Sequence, residues 1–379
     1  MTLKSLTTKI RRTAQFFSAS PAVLYQRGKG LLGFAIAPEL YYVTPQSEWI
    51  TDWIGHYLTT EVKRQFRWRA HQISIPSLLT GQIIHYGELG TFSHFLDSPL
   101  NNRNTILVTV FHGDRSPLFP ELTLAIDTLL ANDQLPRKIV TACQIMQQRL
   151  LSWGIAEQKI ACIPLGVDLE LFQPCSPEEK LAKRHRYHIP NDAVCIGSFQ
   201  KDGIGWQKGT EPKKNKGPDI FLQVIEKLHR QYPIFVLLSG PARGYVIRGL
   251  QELKVPYRHI FLANFRDIPH LYHCLDLYLV TSREEGGPSA VLESLACGIP
   301  IVSTRVGLAP DIIQHGRNGL LTDIEKVDDL VEQCERIILD ENLRQSFSVN
   351  GLKDIQPYDW SLIASRYYKE IYLPLLQSL

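Results

Sequence analysis

Short apolar runs alternate with longer, periodically apolar stretches along most of the chain. Residues 41–44, 82–86, 104–111, 138–142, 160–164, 193–199, 234–239, 277–280 and 299–303 are rich in β-forming side chains and end in polar or glycine-bearing segments, which predicts strands. Residues 48–69, 121–131, 144–153 and 220–229 carry apolar side chains at the spacing of one helix face and predict helices. In the first of these, Trp49, Trp53 and Tyr57 recur at every fourth position, an aromatic stripe expected to be core. Strand alternating with helix implies a parallel sheet covered on both faces.

The most informative stretch runs over residues 276–307, DLYLVTSREEGGPSAVLESLACGIPIVSTRVG. Its order is strand, charged glycine-bearing loop, helix and strand, a βαβ crossover whose loop sits at the carboxyl end of a parallel strand, where ligands of open α/β sheets bind. Pro288 suits the first helical position and Gly298 the position just past the helix end. Glu285 lies in the loop and Glu293 inside the helix. On a helical period Glu293 shares its face with Ser289, Ala290, Ala296 and Cys297, while Val291, Leu292 and Leu295 take the other side. A carboxylate among small residues leaves room for a ligand and an acceptor for its hydroxyls. Two solvated glutamates are the plainer reading of the pair taken alone.

The string Glu285-Gly286-Gly287-Pro288, followed by Glu293 and then Ala296-Cys297-Gly298-Ile299-Pro300-Ile301-Val302, resembles the paired-glutamate motif of the retaining, nucleotide-sugar-dependent glycosyltransferases with two Rossmann-like domains (GT-B type), the glycosyl transferases group 1 family. The resemblance implies an α/β fold with two Rossmann-like domains facing each other across a cleft. It also implies that Glu285 contacts the donor sugar hydroxyls and Glu293 the nucleotide ribose. The loop with Gly286, Gly287, Pro288 and Ser289 would lie against the sugar and phosphates, consistent with free N–H groups at a helix start attracting anionic oxygens.

Further segments carry the same resemblance. Lys216-Gly217-Pro218-Asp219 matches the family's lysine-glycine pair, whose cation holds the diphosphate. The arginine that precedes it in the family is absent from Gly197-Ser198-Phe199-Gln200-Lys201, so Lys201 is expected to stand in as a point charge, with Lys208, Lys213 and Lys214 as competitors. Gly240 would let the nucleotide approach the backbone, and Arg243 is a candidate phosphate or base contact. Residues 260–263 lie where the family seats its base. In the first half, residues 108–112 resemble the segment whose histidine, here His112, faces donor sugar and acceptor. Asp114 either orients an acceptor or caps a turn, and His85 is expected to line the cleft. Cys162-Ile163-Pro164-Leu165-Gly166-Val167-Asp168 resembles the interdomain linker. The terminal helix at 358–376, with Trp360, Ile363, Tyr367 and Ile371 along one side, would cross back onto the first domain. The expected domains are residues 1–170 for the acceptor, 171–357 for the donor, and 358–379 for the crossover helix.

Length and composition fit this plan. A chain of 379 residues, 44% hydrophobic, is too long for one ordinary core and suggests two domains. Seven cysteines without a CxxC pair fit buried reduced thiols. The net charge of +3 does not suggest a nucleic-acid binder. No apolar run approaches a membrane span and the amino end lacks a secretory pattern, so the expected location is cytoplasmic, with the inner face of the membrane as a peripheral alternative. Lys4, Lys9, Arg11, Arg12, Arg27 and Lys29 precede the first acid, Glu39, among scattered apolar residues. This segment reads as a basic tail, with a membrane-lying segment as the alternative.

The expected activity is transfer of a sugar from a UDP-, GDP- or ADP-linked donor to a glycan or lipid-linked acceptor, as in polysaccharide biosynthesis, with His112, Glu285 and Lys216 as its catalytic residues. Retention of configuration is implied by the resemblance alone. No metal or other cofactor is expected, since no Asp-x-Asp pair is present. A nucleotide-sugar epimerase of similar architecture and a non-catalytic glycosyltransferase-like subunit are the alternatives. A dinucleotide-binding dehydrogenase is disfavoured by the lack of an early GxGxxG.

Overall fold

A computed structural model of the chain describes residues 21–25, 37–45, 50–97, 103–116, 120–205 and 207–379. The basic positions from Lys4 to Lys29 named above, and Trp49, lie outside them. The chain forms two units, each around one six-stranded parallel sheet. Of the described residues, the first takes those up to 142, 146–164 and 360–379, and the second 143–145 and those from 165 to 359. The main-chain passage from first to second therefore falls at Pro164–Leu165, within the proline- and glycine-bearing segment 162–168.

The first sheet contains β1 (Leu40–Val43), β2 (Ala70–Ile73), β3 (Ile83–Tyr86), β4 (Thr105–Thr109), β5 (Lys138–Thr141) and β6 (Ile160–Cys162), ordered β2-β1-β3-β4-β5-β6. The second contains β7 (Val194–Phe199), β8 (Ile234–Ser239), β9 (Tyr257–Ile260), β10 (Leu277–Val280), β11 (Ile301–Thr304) and β12 (Leu320–Thr322), ordered β12-β11-β10-β7-β8-β9. Every residue of β1, β3, β4, β8, β10 and β11 is buried. That is why those strands read as largely apolar runs. Two edge strands, β2 and β9, behave differently. β2, with sequence AHQI, carries no apolar run and is tied down by polar groups: His71 Nε2 lies 3.0 Å from Glu39 Oε2, and Gln72 Nε2 donates to Thr44 Oγ1 at 3.1 Å. At the other sheet's edge, β9 is Tyr257–Ile260, so the apolar run at 260–263 only begins at its last residue.

The aromatic stripe of the Ile50–Phe66 helix is not the core face. Ile54, Leu58 and Val62 are buried, one position along from Trp53 and Tyr57, which are half-buried. The aromatic flank instead receives the carboxy-terminal segment: Tyr57 stacks on Trp360 with centroids 5.6 Å apart, and Phe66 on Tyr368 at 3.9 Å. That segment is a Trp360–Arg366 α-helix, a π-turn over Tyr367–Tyr372 and a short Leu373–Gln377 helix. Ile363, Tyr367, Ile371 and Tyr372 are all buried within the first unit. The wider π-turn brings both Tyr367 and Tyr372 inward.

His85 is corrected by this packing. It is not a cleft-lining residue but a fully buried one, with Nδ1 2.7 Å from Tyr372 Oη and Nε2 2.8 Å from Thr109 Oγ1. Burial lowers its pKa to about 3. The unfolded chain therefore binds a proton that the folded chain refuses. The stability contributed by neutral His85 is complete above its unfolded pKa of about 6.5 and is lost as pH falls toward the folded value. In His85→Gln, urea unfolding between pH 6.5 and 4 is expected to show a pH slope shallower by up to about 1.4 kcal/mol per unit; equal slopes would mean that His85 titrates normally.

Candidate functional site at the carboxyl end of the second sheet

In the second sheet β8 and β9 extend to one side of β7, whereas β10, β11 and β12 extend to the other. The loops leaving β7 and β10 therefore diverge, and such a switch point opens a crevice at the carboxyl ends of the strands. The β7 connection ends in a 3-10 turn, Lys214–Lys216, then Gly217 and the Pro218–His229 helix, with Pro218 as its first residue. The β10 connection is the glutamate-bearing loop.

These two connections are joined by main-chain bonds. The N–H groups of Arg283 and Glu284 donate to the Asn215 carbonyl at 2.8 and 3.0 Å, and Thr281 Oγ1 donates to the Gly217 carbonyl at 2.9 Å. Gly217 has φ +60°, and a Cβ there would lie 2.0 Å from the Thr281 carbonyl oxygen, so only glycine fits. Arg283 clamps the same junction. Its guanidinium makes a fork of two 2.7 Å bonds to Asp219, reaches the Lys214 carbonyl at 3.0 Å, and pairs with Glu325. The Arg283 hydrogen bonds hold the Asp219 carboxyl below its usual range.

This junction sets the ammonium of Lys216 against the carboxylate of Glu285, where it donates to Oε1. Ser282 Oγ donates to the same oxygen at 3.1 Å. The Lys216 side chain is 19% exposed and that of Glu285 7%. Glu293 has a different setting. It lies buried inside the Ser289–Ala296 helix and accepts a 2.7 Å bond from Tyr272 Oη. Burial pushes its carboxyl up, opposed by hydrogen bonds from Tyr272 and Ser289. Val291, Leu292 and Leu295 fill the core side of the helix. Pro288 is its N-cap rather than its first residue, so the helix opens at Ser289. Gly298 follows the helix end at φ +70°.

Arg243 is a second correction. Its guanidinium is buried, donates to the carbonyls of Ser198 (2.5 Å), Gln200 (3.0 Å) and Ser239 (2.9 Å), and sits 3.0 Å from Asp202 Oδ2. It ties the ends of β7 and β8 together and is not presented to a phosphate or base. Burial raises the Asp202 carboxyl, and the facing Arg243 pulls it back. Gly240, at φ +90°, turns the chain after β8, and its carbonyl accepts from His259 Nε2 at 2.8 Å. Lys201 is half-buried, and burial lowers its pKa. The connection from 200 to 213 folds back on itself, with the Ile204 N–H on the Glu211 carbonyl, and docks on the β8 turn through Gly244 N–H to Lys208 O at 2.7 Å. Lys208 and Lys214 are exposed there.

His112 and Asp114 belong to the first unit, in the segment after β4. His112 is half-buried, and Asp114 Oδ2 lies 3.9 Å from Arg149 Nη2. Sequence reasoning missed Tyr272, Ser282, Arg283 and Asn215. Ser282 and Arg283 adjoin Glu285, a proximity that points to them, whereas Tyr272 carries no local signal. Among the described residues no group of three or more His, Cys, Asp or Glu side chains is arranged to hold a metal ion, and no helix is long and apolar enough to cross a membrane.

Two parallel α/β sheets, with a cation and two differently held glutamates near the switch point of the second, define a protein of Rossmann-like architecture. Residues 211–354, a segment of the second unit, match the family model described as glycosyl transferases group 1. The chain is 25% identical over 243 residues to D-inositol 3-phosphate glycosyltransferase of Corynebacterium jeikeium, covering 61% of this chain and 56% of that one. It is 32% identical over 217 residues to N,N'-diacetylbacillosaminyl-diphospho-undecaprenol alpha-1,3-N-acetylgalactosaminyltransferase of Campylobacter jejuni, covering 57% and 55%. The chain thus spans about half the length of the curated relatives it matches. HepE of Anabaena, solved with UDP and glucose, superposes with a TM-score of 0.70 at 16% identity, over 90% of this chain and 100% of that one. Sucrose-phosphate synthase of Thermosynechococcus elongatus gives 0.64 at 16% identity, over 89% and 81%. The fold is that of the GT-B glycosyltransferases.

Two substitutions test the construction of the site. Gly217→Ala forces a side chain onto the Thr281 carbonyl and is expected to cost about 2–4 kcal/mol in urea unfolding. Tyr272→Phe removes the Glu293 donor and is expected to cost about 1–3 kcal/mol in the same measurement; no loss would show that the phenol is dispensable to the buried carboxyl.

Proposed function

We propose that the protein transfers a sugar from a nucleotide-diphosphate sugar to a glycan or lipid-linked acceptor, with retention of configuration. The observation that carries this reading is the Lys216 ammonium against the Glu285 carboxylate at the parting of β7 and β10. Breaking the bond between anomeric carbon and diphosphate leaves negative charge on the departing oxygens. Lys216, Lys201 and the main-chain N–H groups around Gly286 and Gly287 would stabilise that charge, and Glu285 would hold the sugar hydroxyls. Glu293, buried beside Tyr272, would face the ribose. His112 would act on the acceptor side as a hydrogen-bonding group or proton carrier. The charge arrangement asks for no protein-bound metal, so transfer is expected to persist in EDTA.

The names of the relatives support the donor and acceptor classes. The Campylobacter jejuni relative is named for a polyprenyl-diphosphate-linked acceptor, and HepE was solved with UDP and glucose. A lipid-linked acceptor would bring the protein to a membrane surface as a peripheral enzyme.

A thermal-shift panel of UDP, GDP, ADP and their sugars is the first test, since a ligand at 100 times its dissociation constant stabilises by about 2.7 kcal/mol. One nucleotide series is expected to raise the melting temperature; a flat panel would overturn the donor assignment. Lys216→Met is expected to lower kcat for transfer by about 100- to 1,000-fold, with Lys216→Arg recovering part of it.

A further inference from the structure

We infer that Glu285 competes with the donor's diphosphate for Lys216, so that the site favours an intact sugar nucleotide over the bare nucleotide left after transfer. The inference deepens the donor reading above and rests on it. Lys216 does not stand open: its ammonium is bound to Glu285, and the two are mostly shielded from water. Among the described residues, Ser282 Oγ is the one donor that joins Lys216 at the bonded carboxylate oxygen, and a hydroxyl is a poor replacement for the cation.

A nucleoside diphosphate that draws Lys216 toward its phosphates would add negative oxygens beside a carboxylate that is losing its partner. Like charges in a poorly solvated site repel. A sugar on the diphosphate changes that balance, because its hydroxyls donate to Glu285 and its ring holds carboxylate and phosphate apart. Transfer removes the sugar, restores the conflict and loosens the product nucleotide. Asp202, whose carboxyl also feels the Lys216 charge, does not exert the same pull, since Arg243 faces it at 3.0 Å.

Isothermal titration of UDP, GDP and ADP, each with and without a sugar, into the wild-type chain, Glu285→Gln, Lys216→Met and the double variant tests this. Glu285→Gln is expected to bind the preferred nucleoside diphosphate about tenfold more tightly, to gain nothing for the matching sugar nucleotide, and to lose the gain when Lys216 is Met. Glu285→Ala serves in its place should the glutamine variant not fold. Equal or weaker nucleoside diphosphate binding by a folded variant, or a gain that survives without Lys216, overturns the inference while leaving the donor reading intact. A wild-type chain that binds none of the three nucleotides overturns both.

Discussion

A nearly buried carboxylate tolerates its charge only where donors are fixed beside it, and Glu285 meets that condition through Lys216 and Ser282. The connections leaving β7 and β10 support this pairing. The strand order separates the two connections, the Asn215 and Gly217 carbonyls bind them back together, and Arg283 braces the junction from its exposed side. The left-handed Gly217 lets the turn approach Thr281 closely enough for Lys216 to reach its partner.

The two glutamates of one motif are held by opposite means. Glu285 faces a cation, whereas Glu293 faces a phenol in a buried helix and has its carboxyl pushed up. The guanidinium of Arg243 is spent on Asp202 and on main-chain carbonyls. The arginine missing after β7 therefore has no substitute in Arg243, although that residue lies against Ser198.

What was legible in the residues was what local backbone chemistry dictates. Fully buried parallel strands are largely apolar, a helix start admits proline and a helix end glycine, and these marks located β8, β10, the Pro218–His229 helix and the glutamate loop. What depended on distant partners was not legible. His85 looks like a loop-side histidine until Tyr372, 287 positions away, closes over it. Tyr57 looks like core until Trp360 takes the place of solvent on its flank. β2 and β9 escaped because edge strands need no continuous apolar run, and Arg243 because a basic residue in a glycine turn gives no sign of the carbonyls it will meet.

The return of the last segment to the first sheet has a consequence for how the molecule is made. Until residues 360–372 leave the ribosome, Tyr57 and Phe66 lack their stacking partners and His85 lacks its phenol. The second unit lies wholly upstream of that segment, so it is free to mature on the nascent chain while the unit begun earlier is still open. The half synthesised first is thus the half completed last, and during that interval a chaperone would find its sticky surface on the amino-terminal side.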